Sequence, residues 1–202
     1  MVTHMNRAVR AGRKELSQDR ILDVAARDVR RSGFASIGVA NVMKQAGLTH
    51  GGFYAHFASR DDLLRAATNR AGRDSRDILK DHIDRLVTAG VPPFRALVET
   101  YLHESGLEDI ENGCPVAALA SELPRQSQAV QEEGRDLIVR LHRLIQEALG
   151  DAGSTDEAWP IASALVGALQ LARAVGDREQ GRAILAATKR SLLQRHAPQA
   201  SS

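Results

Sequence analysis

An all-α fold is predicted by three features of the 202-residue sequence. Apolar residues recur at helical spacing in one segment after another. Glycines and prolines punctuate those segments. Aromatic residues make up only 3% of a chain rich in alanine, leucine and arginine, a mix that favours helix over sheet. With 43% hydrophobic and 26% charged residues, the composition is that of a globular chain able to bury a substantial core. No run is long and apolar enough to cross a bilayer and no signal-like apolar segment follows the start, so a cytoplasmic protein without a membrane partner is expected. The single cysteine, Cys114, excludes an internal disulfide and fits a reducing compartment.

Taken in order, residues 1–15 hold Arg7, Arg10, Arg13 and Lys14 with little apolar content, and are expected to form a free basic arm. Ser17 then caps the first helix, with Leu16 and Ile21 as a hydrophobic staple and Gly33 as its stop. Its inward stripe is Ile21, Leu22, Ala25 and Val29. Gly38 can cap a second helix, striped by Val39, Val42, Met43 and Ala46, which Gly47 ends. Thr49 caps a third, very short helix within GLTHGGFYAHF, where Leu48 and Phe53 repeat the staple spacing. Phe53 and Phe57 share an inward face at i, i+4. Thr49, His50, Gly51, Gly52, Tyr54 and His56 are left for the outside. Two glycines in so short a helix cost about 1 kcal/mol each against alanine, which points to close approach by another backbone. Helix, glycine turn, helix is the helix-turn-helix pattern, whose second helix enters the major groove of DNA.

Ser59 opens the next helix, expected from Arg60 to about Thr88, with Asp61 and Asp62 in its first turn. Arg60 would lie beside the recognition helix, within reach of a phosphate. At the far end Ile78, Leu79, Ile83, Leu86 and Val87 would pack into the rest of the chain, making the helix a mechanical link. After the break at Gly90-Val91-Pro92-Pro93 comes an amphipathic helix with Phe94, Leu97, Val98, Tyr101 and Leu102. An acidic turn from Gly106 to Gly113 follows, then a helix in CPVAALASEL opened by Pro115 and ended by Pro124. Further helices are expected over Gln126 to Leu149, Asp156 to Val175 and Arg178 to Gln194, with GDAGST as a loop and APQASS as an unstructured tail.

Charge supports a polyanion partner for the N-terminal part. Residues 1–60 carry 10 Lys and Arg against 4 Asp and Glu, and the remainder 17 against 21, within a net charge of +2. A basic headpiece on a mildly acidic body is the electrostatic footprint of nucleic-acid binding.

From Leu16 to about Leu64 the sequence resembles the headpiece of the tetracycline-repressor (TetR) family of bacterial transcription regulators. The resemblance is carried by SQDRILDVAARDVRRSGF, VMKQAGLTHGGFYAHF and SRDDLL, most specifically by Ala46-Gly47-Leu48-Thr49, Phe53-Tyr54, His56-Phe57 and Arg60. It departs from the family at Ile37 and Gly38, often serine or threonine, at Gly52, often threonine, and at Ala40, commonly arginine. Readout of DNA sequence should therefore fall more on His50 and its neighbours. The resemblance implies a three-helix headpiece (16–58) and an effector-binding and dimerisation domain (59–196), about nine helices in all, with a flexible tail (197–202). It also implies an effector pocket between the central helices and dimerisation through the last two helices as a four-helix bundle.

The expected DNA-contacting residues are Lys14, Val39, Ala40, Thr49, His50, Gly51, Gly52, Tyr54, His56 and Arg60. Effector-pocket candidates are Phe94, Leu97, Tyr101, Cys114, Leu141, Trp159 and Leu165. Dimer-interface candidates are Leu165, Leu169, Ala172, Ile184, Leu185, Thr188 and Leu192. No catalytic group, metal site or cofactor is expected, since the histidines are scattered and no Gly-rich phosphate loop or nucleophile elbow is present. His103 with Glu104, Glu108 and Asp109 reads as a solvated acidic loop. Cys114 before Pro115 is either a small buried residue or a thiol at a helix N-terminus able to sense oxidants or electrophiles. The function expected is a homodimeric repressor released from a palindromic operator by a small molecule. Its rivals are a DNA-binding regulator without an effector, an activator, and a helical enzyme or interaction module whose helix-turn-helix is structural.

Overall fold

The computed structural model describes residues 2–150 and 155–196. Among them the regular structure is entirely helical, with eight α-helices and three short 3-10 helices. The loop residues 151–154 and the tail 197–202, expected to be irregular, lie outside the described residues.

Helix α1 spans Val2–Ser32, so the segment expected as a free arm forms its opening half. Arginine, alanine, lysine and glutamate before Ser17 are good helix formers. Ser17 is therefore mid-helix rather than a cap, and its hydroxyl accepts from Arg20 Nη2 at 3.4 Å. Gly33 (φ 77°) ends α1 and Gly47 (φ 70°) follows α2, which spans Val39–Gln45. Both hold the left-handed backbone that glycine adopts without a Cβ clash. The recognition element, His50–Ala55, is a 3-10 helix. Thr49 has the extended backbone of an N-cap, yet its side chain makes no capping bond. Helix α3 spans Arg60–Thr88, as expected, and Ser59 Oγ accepts from Asp62 N at 3.1 Å.

The body continues with α4 (Pro93–Tyr101) and α5 (Pro115–Leu119). Helix α5 has Pro115 in its first turn but stops five residues before Pro124, which falls in a 3-10 turn at Leu123–Arg125. Then come α6 (Gln128–Leu149), α7 (Thr155–Ala174) and α8 (Arg178–Arg195). Two apolar cores result. The first joins Ile21, Val29, Phe34, Met43, Phe53 and Phe57 to Leu63 and Leu64 of α3. It is completed by Leu119, Leu123 and Val130, so the headpiece core extends beyond residue 58. The second gathers Ile83, Leu97, Val98, Leu102, Ile145, Ile161 and Leu165. Of the residues expected to bury the far end of α3, Ile83 does so, Leu79 and Leu86 are half-buried, and Ile78 and Val87 are exposed.

Polar contacts fasten the headpiece to the body. Arg70 of α3 forms ion pairs with Asp19 and Asp23 of α1 and with Asp74 of its own helix. Buried Arg30 donates to the Ala71 carbonyl at 3.0 Å. Arg31 at the end of α1 pairs with Glu111 at 2.6 Å, and Phe34 N donates to Glu122 Oε2 at 3.0 Å.

At the α7–α8 turn the helices approach so closely that a Cβ on Gly181 would lie 2.8 Å from the Ala172 carbonyl oxygen. A backbone oxygen cannot rotate away, so the two helices would have to separate. Gly181→Ala is expected to destabilise the protein by about 1–3 kcal/mol, read from chemical denaturation. An unchanged midpoint and slope would show that the contact relaxes freely.

Candidate functional site

Two places in this fold present chemistry outward: the face of the recognition helix and a cavity in the body. The first is built on Phe53 and Phe57, both buried and stacked with centroids 5.7 Å apart. Tyr54 makes a T-shaped contact with Phe53, centroids 5.3 Å apart, yet remains 74% exposed. The aromatic pair thus seats a short helix whose own hydrogen bonds are too few to hold it. Ala40, Thr49, His50, Gly51 and Tyr54 are all exposed, and Gly52 is half-buried. The structure therefore brings the hydroxyl, imidazole and phenol groups onto one surface with no Cβ over Gly51. Val39 is half-buried against the headpiece core.

Three expected contacts stand differently from the rest. Lys14 is exposed on α1 itself, near enough for its charge to act on His56. His56 is half-buried, and its Nδ1 is buried without a hydrogen-bond partner. Burial, and secondarily Lys14, lower its pKa, so the ring is neutral near pH 7. Arg60 is the clearest correction to a free phosphate anchor. Its Nε donates to Ile37 O at 3.0 Å and its Nη2 to Phe34 O at 2.6 Å. The guanidinium closes the α1–α2 loop over the start of α3. Exposed Asn41 and Lys44 on α2 were not singled out from the sequence; their polarity on a helix with one apolar face is the signal available.

The cavity, about 660 Å³, lies between α3, α4, α7 and the 103–114 connection. Ile78, Leu79, Leu86 and Leu169 give it apolar walls, and His82, Arg85, His103 and Asp109 add charged or polar groups. Of the expected pocket residues it contains Tyr101 and Cys114. Phe94 instead packs on His196 with centroids 4.9 Å apart, Leu97 and Leu165 are core, and Leu141 lines a smaller adjoining cavity that shares Ser75, Leu79, Tyr101 and Cys114 with the first. Trp159 is exposed and lies 4.1 Å from the His142 ring. Helical periodicity identifies which residues turn inward but not where packing leaves space. Arg173, not among the expected pocket residues, lines the cavity. It is the sole charged residue between Glu157 and Asp177, a signal that was available.

The dimer candidates are also corrected. Leu165, Leu169, Ala172, Leu185 and Leu192 are buried within one protomer, and Ile184 and Thr188 are half-buried. The five buried side chains hold α7 and α8 to their own body, while Ile184 and Thr188 keep part of their surface outward. The outward residues of these helices include Ser163 and Leu171 on α7 and Ala183 and Ala187 on α8, with Leu171 63% exposed.

Residues 21–67 match the model of bacterial regulatory proteins of the tetR family. Residues 91–187 match that of the C-terminal domain of LmrA/YxaF-like transcriptional regulators. The HTH-type transcriptional regulator LmrA of Bacillus subtilis (strain 168) is 27% identical over 156 residues, covering 76% of this chain and 81% of that protein. Among solved structures, a TetR-family regulator from Agrobacterium tumefaciens has a TM-score of 0.70 at 22% identity, covering 90% of this chain and 98% of its own. SCO4454, a TetR-family regulator from Streptomyces coelicolor, has a TM-score of 0.71 at 19% identity, covering 98% and 97%. At such identities the structural likeness establishes the fold.

The Arg60 geometry separates clamp from anchor. Arg60→Ala should destabilise the unliganded protein by about 2 kcal/mol through two lost charge-assisted bonds, whereas a phosphate anchor would leave stability unchanged and reduce the salt dependence of DNA binding by about one unit of slope. His50→Ala should do the reverse, leaving the denaturation midpoint in place and changing preference among operator variants by about 1–3 kcal/mol at one position. Equal losses on all variants would remove His50 from the base-reading role.

Proposed function

The chain belongs to the tetR family of bacterial regulatory proteins and is a DNA-binding regulator of transcription, and we propose that it acts as a homodimeric repressor released from a palindromic operator by a small molecule. The observation that carries the proposal is the position of α3. Its first turns pack behind the recognition helix through Leu63 and Leu64, and its later turns form the cavity wall at Ser75, Ile78, Leu79, His82 and Leu86. One continuous helix thus borders both places. No described helix is long and apolar enough to cross a membrane.

DNA contact is assigned to Lys14, Ala40, Thr49, His50, Gly51, Gly52 and Tyr54. Backbone amides at the start of the recognition helix and the Tyr54 hydroxyl suit phosphates, which position without specifying, while His50 suits a base edge. His56 supports the surface from behind. Domain roles follow the same division, with the headpiece binding DNA and residues from α3 onward binding the effector and the second protomer.

The dimer surface is reassigned to the outward faces of α7 and α8. Ser163, Gly167 and Leu171 lie at i, i+4, i+8, and Ala183 and Ala187 at i, i+4, so each set forms one stripe. Nothing lies within 4 Å of a Cβ built on Gly167. Small residues flanked by a large exposed leucine let helices pack closely and fill the seam. A four-helix bundle made this way places two recognition helices on one side of a twofold axis.

An effector acts only through unequal affinity for the DNA-binding and non-binding arrangements. Two connections lead from the cavity to the headpiece. One is α3 itself. The other starts at Glu111, between the cavity-lining Asp109 and Asn112, and passes through Arg31 to Asp28 at 2.5 Å and on to Gln45 Nε2 at 2.8 Å, at the end of α2.

The test uses the full chain and a palindromic duplex selected from random sequence. One dimer should bind per palindrome, with half-site centres about 34–36 Å or a similar groove repeat apart, and affinity should fall linearly with salt on logarithmic axes. Leu171→Glu should shift sedimentation toward monomer and weaken operator binding together. Unchanged sedimentation would place the interface elsewhere, and an asymmetric footprint would refute the dimeric reading.

A further inference from the structure

The cavity's polar lining is mixed, but its buried groups beside Cys114 are hydrogen-bond donors. Tyr101 is 6% exposed, lines the cavity, and its hydroxyl is buried with no partner at hydrogen-bond geometry, although the Cys114 thiol is near enough to interact with it. Burial, reinforced by Cys114, raises its pKa well above the ordinary tyrosine value, so the hydroxyl keeps its proton and remains a donor. Thr100 Oγ1, also on the cavity, is likewise buried and unpartnered. Arg173 stands beside Tyr101 and Cys114 and offers donors only. Its Nε and Nη2 both go to the Gly106 carbonyl, at 3.0 and 2.8 Å. Burial lowers its pKa, and among the described residues no carboxylate pairs with it.

The cavity's own carboxylates are committed elsewhere. Glu99 pairs with Arg95 at 2.8 Å, and Asp109 Oδ1 accepts from Asn112 at 2.8 Å while acting on Arg173 only at longer range. His82, Arg85 and His103, all exposed, supply no further negative charge. A guanidinium partly removed from water without a counter-ion, and a buried hydroxyl without an acceptor, are both unfavourable. One incoming group relieves both: an anionic oxygen acceptor. The apolar walls and the volume set the remainder of the ligand at drug-like size.

We propose that the cavity takes an apolar small molecule ending in a carboxylate, which accepts from the Tyr101 hydroxyl and pairs with Arg173. The assignment rests on reading this cavity as the effector site, and the two are separable by experiment. Naphthoate, its methyl ester and decanoate are titrated calorimetrically into the full-length protein and into Tyr101→Phe. Naphthoate and decanoate should bind, with the ester at least about tenfold weaker than naphthoate. Tyr101→Phe should weaken naphthoate by about tenfold and move the ester by less than about twofold. Because the hydroxyl has only the weak Cys114 thiol contact to lose, the same variant should melt close to the parent, so a loss of binding would not reflect misfolding. Failure of both acids to bind, equal binding of acid and ester, or equal weakening of both by Tyr101→Phe overturns the proposal. The effector reading is tested separately by repeating the naphthoate titration with saturating operator. Linkage requires operator to weaken naphthoate by the same factor that naphthoate weakens operator, about 5- to 150-fold. If naphthoate shows the Tyr101 signature but ignores operator, the carboxylate site stands and the repressor-release reading falls.

Discussion

Arg70 reaches Asp19 and Asp23 on α1 and Asp74 on α3, and with it the headpiece becomes an extension of one long helix. At 1.5 Å per residue the 29 residues of α3 span about 44 Å. Its apolar face serves the headpiece core at Leu63, Leu64 and Ala67 and the body core at Ile83. Ionic contacts that are individually modest matter here because they act with this shared burial. Arg30, a buried residue of α1 itself, adds a bond to the Ala71 carbonyl one residue beyond Arg70. A displacement of α3 therefore carries α1 with it, and α1 carries the loop that Arg60 clamps.

The recognition helix is held in the opposite manner, by few local bonds and one aromatic footing. Six residues in 3-10 geometry with two glycines have little intrinsic stability. Their position is set by the Phe53–Phe57 stack and by Met43, which approaches Gly52. The surface can thus be almost free of bulky side chains without losing its orientation. Tyr54 shows the division of labour: its ring makes a T-shaped contact with Phe53 while the residue stays largely exposed.

Much of this was legible in the sequence because it depends on local rules. Gly33 and Gly47 at positive φ, Ser59 as a cap and Pro115 at a helix start each occupy the position that backbone sterics dictate. The family follows from the same stretch, Ala46 to Leu63. What was not legible depends on tertiary neighbours. Arg60 resembles an anion-binding residue until its target carbonyls at Phe34 and Ile37 fold beneath it. Helix α7 is apolar around much of its circumference, with Ala162, Leu165 and Leu169 inward and Leu171 and Ala174 outward. Periodicity selects an inner face only where the other face is polar. The cavity was beyond reach for a related reason: Ile78 reads as a core residue and becomes a wall when no neighbour fills the space beside it. Ser17 misled through a competing signal, since residues before it continue the helix better than a cap can stop it.

The headpiece core closes on Leu119, Leu123 and Val130, and this bears on modularity. A DNA-binding domain cut at residue 58 would lose Leu63, Leu64 and Ala67 along with those three side chains. It would expose the apolar backs of Phe34, Phe53 and Phe57 to water. Small domains have too little interior to absorb such a loss. The two halves therefore belong to one cooperative unfolding unit rather than to beads on a string. Grafting this headpiece onto another regulator's body requires the α5–α6 segment to travel with it, although α3 and α4 stand between them in the chain. The packing unit that supports the recognition helix is discontinuous along the chain.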